Sequence, residues 1–497
     1  MGGAIVLERE TAADVPSSGP EPARTVPAAG TGLGWVFTAF FAVFGWAIGI
    51  AKLSDNSFFW HLKTGEYILD HGIPRHDVFS YTAPGTKWIA QSWLAEVAYA
   101  LVDRAFGGDG IRLFVGLVGA GIGILTYRLA LRLVRDRVVA CGLTAAALAG
   151  IYTVWSERPL LIGVLFLLVL LWVVEVPDSL VGRHPLVVIP VLMWLWANTH
   201  GTFELGFAYL GLHLLGRWVE GHRPWAGRER SLLVGSAIGF LLIFLNPYGP
   251  DLLLFPLDLL SRGEILSHVI EWQSPDFRQS WGIALALWIV VYVWALARGR
   301  HRVTRRDLIV TIPMLLLALW AVRNVAIAPL VCLPVVARCF AREEEKPSTT
   351  SRPLVAAAIT VLVLAALVMG YQVTTEKAYD LSTYPVAAMR YVERHDLLGS
   401  RLLTTDATAG WVILDHFPEQ KVFMDDRYDM YPTSLIYDYF KLTRGSTGWD
   451  RVLDRHDVET VVWPTNSPLA SLLDQSSDWD RVFSRNGDAV WVRSGTR

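Results

Sequence analysis

Cysteine is scarce in this sequence. Only three occur among 497 residues, and Cys141, Cys332 and Cys339 all fall in or beside apolar runs. The hydrophilic segments therefore hold no pair for a disulfide and no cysteine metal site. Charge is low as well, at 18% Asp, Glu, Lys and Arg with a formal net charge of −2. That balance lacks the concentrated basic surface that neutralises phosphates, so nucleic acid is excluded as a partner. Residues 1–32 lack helical periodicity, and they lack the short basic stretch directly before an apolar core that marks a cleavable signal peptide. Rich in Ala, Pro, Gly, Ser and Thr, they read as a disordered cytoplasmic tail. What abounds is apolar surface, since 53% of the residues are hydrophobic, more than a soluble fold of this length buries.

A bilayer core of roughly 30 Å needs about 17–25 apolar residues per helix, with the backbone satisfied inside the helix itself. Residues 33–51, 111–133, 138–154, 160–174, 186–197, 203–215, 232–245, 281–297, 308–322, 325–337 and 354–369 are the candidate spans, about eleven by that criterion. With the N-terminus inside, the clusters Arg132/Arg135/Arg137, Arg183, Arg217/Arg223/Arg228/Arg230, Arg298/Arg300/Arg302/Arg305/Arg306 and Arg338/Arg342/Lys346 all face the cytoplasm. The positive-inside rule demands that arrangement. The expected class is a polytopic α-helical protein of the cell (plasma) membrane, its transmembrane domain covering 33–371, with charged residues nearly absent from the spans.

The same assignment sends outward a long first loop, 52–109, the turns 155–159 and 198–204, the stretch 246–280, Arg323-Asn324 and residues 372–497. The last block alternates strand-like runs at 401–405, 421–424, 459–463 and 489–493 with helical runs around 411–416, 435–442, 449–454 and 469–473. An independent extracytoplasmic α/β domain is the economical reading.

Asp55 follows the first span directly, with His61 about a turn and a half further on if the segment is helical. A carboxylate near lipid has its pKa raised toward neutrality, which suits a general base toward an acceptor hydroxyl, with His61 orienting it or binding phosphate. The competing role for Asp55 is the N-cap of the following helix. Arg75 is a candidate phosphate clamp, because a guanidinium forks onto phosphate oxygens. Glu157 and Arg158 form an adjacent acid and base whose plainer reading is self-neutralisation. Asn198 and His200 stand at a helix end beside a glycine, where polar groups point into any cavity between helices. His200 has no HxxxH, HxxE or cysteine partner for zinc. Tyr248 belongs to the outer stretch, and Arg323 ends an apolar run, so it needs an anionic partner, either a protein carboxylate or a substrate phosphate. Asp425-Asp426 beside Arg427 is compatible with a divalent cation, but an ion-pair turn explains it as well, and catalysis is not expected there.

Asp55-Asn-Ser-Phe-Phe-Trp-His61-Leu-Lys-Thr-Gly65, followed by Gly72-Ile-Pro74 and Asp77, resembles the first-loop signature of the GT-C superfamily of membrane glycosyltransferases, especially bacterial relatives of the protein mannosyltransferases and aminoarabinose transferases. The resemblance covers most of the chain. It implies an inverting transferase that moves sugar from a polyprenyl-phosphate donor to a glycan, lipid or protein acceptor, with the first-loop acid Asp55 as base and His61, Arg75, Glu157, Asn198, His200, Tyr248 and Arg323 near the substrate. Many members carry two acids close together in this loop, whereas Asn56 follows Asp55 here. No cofactor is certain, and a divalent cation stays open. The alternative is a catalytically silent membrane protein that binds or exports lipid-linked glycans.

Overall fold

Apolar runs must satisfy their own backbone groups, and in the computed structural model each of the candidate spans is helical. The structure describes residues 32–342 and 350–495. The expected N-terminal tail, apart from residue 32, and Lys346 lie outside them. The bundle comprises α1 (Leu33–Gly49), α2 (Asn56–His71), α3 (Trp93–Val134), α4 (Arg137–Tyr152), α5 (Leu160–Glu175), α6 (Pro185–Ala197), α7 (Phe203–Val219), α8 (Gly227–Leu242), α9 (Asp251–Ser261), α10 (Gly263–Leu266), α11 (Ser280–Arg298), α12 (Arg305–Trp320), α13 (Ile327–Cys339) and α14 (Arg352–Val373). Among the described residues, Trp93–Val134, Ser280–Arg298, Val322–Cys339 and Arg352–Val373 are long and apolar enough to cross a membrane. Leu33–Gly49, Arg137–Tyr152, Leu160–Glu175 and Pro185–Ala197 are apolar but shorter.

Two glycines shape the start of the bundle. Gly107 (φ 67°, ψ −170°) breaks α3, so its first turns run with the loop and the rest with the bundle. A Cβ on Gly45 would stand 2.0 Å from the carbonyl oxygen of Gly119, so α1 and α3 touch backbone to backbone, the packing that small residues permit between apolar helices.

The spans are not as free of charge as their composition suggests. Where α5, α12 and α13 meet, Glu175 accepts from Arg306 and, at 2.7 Å, from Arg338. Asp307 accepts from the same two arginines at 3.0 and 2.6 Å. Arg306 also donates to His213 Nδ1 at 2.9 Å. Arg306 and Arg338, expected on the cytoplasmic surface, turn inward because two desolvated carboxylates need cationic partners.

The C-terminal block contains α15 (Val386–Arg394), β1 (Leu402–Leu403), α16 (Asp406–His416), α17 (Thr433–Arg444), α18 (Trp449–Arg455), β2 (Thr460–Pro464), α19 (Pro468–Gln475), β3 (Trp479–Arg485) and β4 (Asp488–Arg493). The sheet order is β1-β2-β4-β3, with β1 and β2 parallel and the remaining pairs antiparallel. The strand expected at 421–424 makes only isolated bridges, Val422 to Leu402 and to Ser80. The strand at Trp479–Arg485 has no counterpart among the expected ones. It is an edge strand with an exposed, charged face, so it lacks the apolar run that marks a buried strand.

Nor is this block packed on its own. Val422 N donates to Phe79 O and Tyr81 N to Val422 O, both at 3.1 Å. Gly410 N donates to Asn56 Oδ1 at 2.8 Å, and in the segment that follows α14 Leu53 N donates to Ala378 O and Asp380 N to Leu53 O, both at 2.9 Å. Residues 421–424 pair with the first loop, which sews loop and C-terminal block into one unit beside α2.

Candidate functional site

The seam between α2, the helix-connecting turns and the C-terminal block encloses a cavity of about 180 Å³. Asp55 caps α2, accepting from Phe58 N at 3.1 Å, and so sets the helix that turns Ser57, Trp60 and His61 into the cavity. The turn before α5 contributes Arg158, the turn before α7 His200, and the short helix Val322–Asn324 Arg323. Residues 426–429 close the other side.

Asp426 is the most engaged carboxylate of the wall. Its Oδ1 accepts from Trp60 Nε1 at 2.6 Å, and its Oδ2 accepts from Ser57 Oγ at 2.5 Å and Asn56 Nδ2 at 3.2 Å. Burial pushes its pKa up to about 7, with the nearby Arg158 charge pulling the other way. Arg427 is almost fully buried. It grips Asp425 through Nε and Nη2 at 2.8 and 2.6 Å, reaches Asp77 at 2.8 Å, and lies 4.4 Å from the Trp88 ring centre. Its Nη1 has no hydrogen-bond partner among the described residues.

His61 Nδ1 lies 2.7 Å from Glu96 Oε1. Burial, reinforced by His200, Arg158 and Arg427, lowers the His61 pKa, so its imidazole is neutral. His200 Nδ1 accepts from Thr202 N at 3.2 Å. Its pKa falls to about 3 through burial and then the Arg323 and Arg158 charges, leaving a neutral ring whose Nε2 carries the proton. Arg323 stacks 4.4 Å from the Trp272 ring centre, and among the described residues no carboxylate lies within ion-pair distance of it.

Of the residues expected near substrate, His61, His200 and Arg323 line the cavity. Asp55 and Glu157 stand just behind its wall. Asp55 takes Arg158 Nε on both oxygens at 2.8 Å, and Glu157 accepts from the Ser54 and Asp55 amides at 2.6 and 2.8 Å. Glu157 and Arg158 therefore do not neutralise each other as their adjacency suggested, because each finds its partner on the first loop. Burial raises the Glu157 pKa against those amide bonds. The other three stand outside the lining. Arg75 is exposed and stacks on Tyr248. Tyr248 donates to Pro74 O and accepts from Ala90 N, both at 3.0 Å. Asn198 is buried between Trp93 Nε1 and Trp194 O.

Arg158, Asp426 and Arg427 are the members that sequence reasoning did not place here. The one local signal was the run Asp425-Asp426-Arg427-Tyr428-Asp429, whose acids only the folded first loop brings beside α2. The described residues contain no group of three or more His, Cys, Asp or Glu placed to hold a metal ion.

No protein-family model matches the chain, and no curated protein does. Solved structures are similar to it. The crystal structure of the Archaeoglobus fulgidus oligosaccharyltransferase, tethered with an acceptor peptide containing the NVT sequon, aligns with 93% of this chain and 74% of its own at 12% identity and a TM-score of 0.50. The Archaeoglobus fulgidus AglB structure with an inhibitory peptide and a dolichol-phosphate aligns over the same shares at 11% identity and a TM-score of 0.48. The first of these likenesses shows the fold, which this chain shares with that oligosaccharyltransferase.

Proposed function

We propose that this chain is an inverting glycosyltransferase that works at the outer face of the cell membrane, taking sugar from a polyprenyl-phosphate donor to a glycan, lipid or protein acceptor. One observation carries the reading. A carboxylate whose pKa lies near 7, Asp426, shares a small cavity with the guanidinium groups of Arg158, Arg323 and Arg427. Inverting transfer needs those two things, a base close to neutrality and cations for a phosphate leaving group. The shared fold with an oligosaccharyltransferase supports it at the level of architecture.

In the proposed step the acceptor hydroxyl oxygen attacks the anomeric carbon from the face opposite the phosphate. The new C–O bond forms as the bond from the anomeric carbon to the phosphate oxygen breaks, and that electron pair leaves on polyprenyl phosphate. The hydroxyl proton passes to Asp426, which has one acceptor site left after its three donors. Arg323, which has no ion-paired carboxylate among the described residues, takes the phosphate. Asp55 then acts as a positioning residue that holds Arg158 and the start of α2, a different role from the base the first-loop resemblance implies.

The topology belongs to the same proposal. The N-terminus and the basic clusters, apart from the inward-turned Arg306 and Arg338, lie in the cytoplasm, the spans number about eleven, and residues 372–497 lie outside with the cavity. The test is to incubate the purified protein in lipid with a panel of polyprenyl-phosphate sugars and measure release of polyprenyl phosphate. Wild type is expected to release it and Asp426→Asn is not. Equal release by the variant removes Asp426 as base. Binding without release across the panel favours the alternative, a protein that binds or exports lipid-linked glycans.

A further inference from the structure

The donor set behind the cavity decides whether a divalent cation fits there. A hard cation takes about six oxygen ligands, several of them from carboxylates converging on one point. Two of the carboxylates here, Asp55 and Glu271, converge on a guanidinium instead. Both Asp55 oxygens accept from Arg158 Nε at 2.8 Å, and Glu271 Oε1 accepts from Arg158 Nη1 at 2.5 Å. Glu157, the acid next in sequence, is engaged with two backbone amides. Asp425 is held by Nε and Nη2 of Arg427, and Asp426 by Trp60, Ser57 and Asn56. The residues therefore do not fit a metal, since each of these five acids already has a protein donor and the described residues hold no group of three or more His, Cys, Asp or Glu placed for a metal ion.

We propose that Arg158 is the resident cation of this site, filling the acidic position where a divalent metal would otherwise bind, so that recognition of a phosphate-bearing lipid here is metal-independent. The inference deepens the glycosyl-transfer reading and rests on it for the identity of that phosphate. Arg158 lines the cavity, and its Nη2 group has no partner among the described residues, which leaves N–H donors for a phosphate oxygen. A planar fork is needed to bridge Asp55 and Glu271 and still present the N–H donors of Nη2, and a lysine ammonium, being a point charge, cannot do all three.

Two measurements on the full chain in lipid nanodiscs test this. The first is Mn²⁺ binding by electron paramagnetic resonance, with the metal alone as probe. No stoichiometric site is expected in wild type, and one Mn²⁺ per chain that disappears in Asp55→Asn overturns the proposal. The second is binding of a short-chain polyprenyl phosphate. Chelator is expected to leave it unchanged, Arg158→Ala to weaken it at least about tenfold, and added methylguanidinium, but not Mn²⁺, to restore part of it. Loss of binding on chelation, or rescue of Arg158→Ala by Mn²⁺, also overturns the proposal. Arg158→Lys serves if the alanine variant does not fold, and is expected to bind more weakly than wild type, again without response to chelator. Failure of every donor sugar to turn over counts against the glycosyl-transfer reading alone and leaves the Mn²⁺ result standing.

Discussion

Helix α5 carries a charge cluster at each of its ends, roughly 24 Å apart at 1.5 Å per residue, and the two are built differently. At its C-terminal end Glu175 and Asp307 are each matched by Arg306 and Arg338, with His213 accepting from Arg306 and Tyr209 donating to Glu175. At its N-terminal end Arg158 serves two carboxylates, and among the described residues Arg323 serves none, Arg427 Nη1 has no partner and Glu96 Oε2 has no partner. A closed network holds helices together. An open one, buried and polar, keeps hydrogen-bonding capacity for something that enters. The comparison teaches that burial of charge does not by itself mark a functional site, whereas unfilled capacity beside a cavity does.

The comparison can be broken from either side. Asp426→Asn is expected to lower polyprenyl-phosphate release by about 10²–10⁴-fold, the range for loss of a general base, while the protein keeps its fold. The same variant is expected to be more resistant to unfolding than wild type above pH 7. The folded-state pKa of Asp426 is raised to about 7, so between the ordinary carboxylate range and about 7 the folded chain binds more protons than the unfolded one, and this group's contribution to stability declines as pH rises. Unfolding midpoints at pH 5 and pH 8 measure that slope, and an Asp426→Asn chain that melts below wild type at both values would contradict it.

At the closed end, Glu175→Ala strips the buried Arg306 and the half-buried Arg338 of a partner and is expected to cost about 3–5 kcal/mol of stability, while release per folded molecule stays at the wild-type level. Denaturation in detergent beside a turnover assay separates the two, and a variant of normal stability with lost turnover would reverse the roles assigned to the two ends. Arg323→Ala is expected to weaken binding of polyprenyl phosphate by about 10–100-fold, the worth of a charge-assisted hydrogen bond, with little change in unfolding midpoint, because no described carboxylate loses a partner. Turnover against pH is expected to rise about tenfold per unit below 7 and level above it, as Asp426 ionises. A flat profile through that range would mean that another group takes the proton. Smallest of all, Arg75→Ala is expected to leave release within about twofold, since its guanidinium stacks on Tyr248 at the surface.

Much of the helical part was legible from composition, because an apolar run of span length has few other ways to satisfy its backbone. Asp55 was legible as a cap, and the structure places it as one. Its link to Arg158 was not, since adjacency suggested that Arg158 paired with Glu157. Asp425-Asp426 read as an ion-pair turn, and for Asp425 with Arg427 that is what it is. The neighbouring Asp426 faces the other way, onto Trp60 and Ser57 of α2, and nothing within its own segment distinguishes the two acids.

The sequence by itself determined the helices, the sign of the charges at their ends and the acid that opens α2. These follow from local composition, which acts over a few turns of chain. Tertiary structure alone decided which charges meet, bringing Asp55 to Arg158 across 103 positions and Asp426 to Ser57 across 369. The reason is physical. A desolvated charge takes whatever partner the packing brings within about 3 Å, and separation along the chain carries no information about that distance.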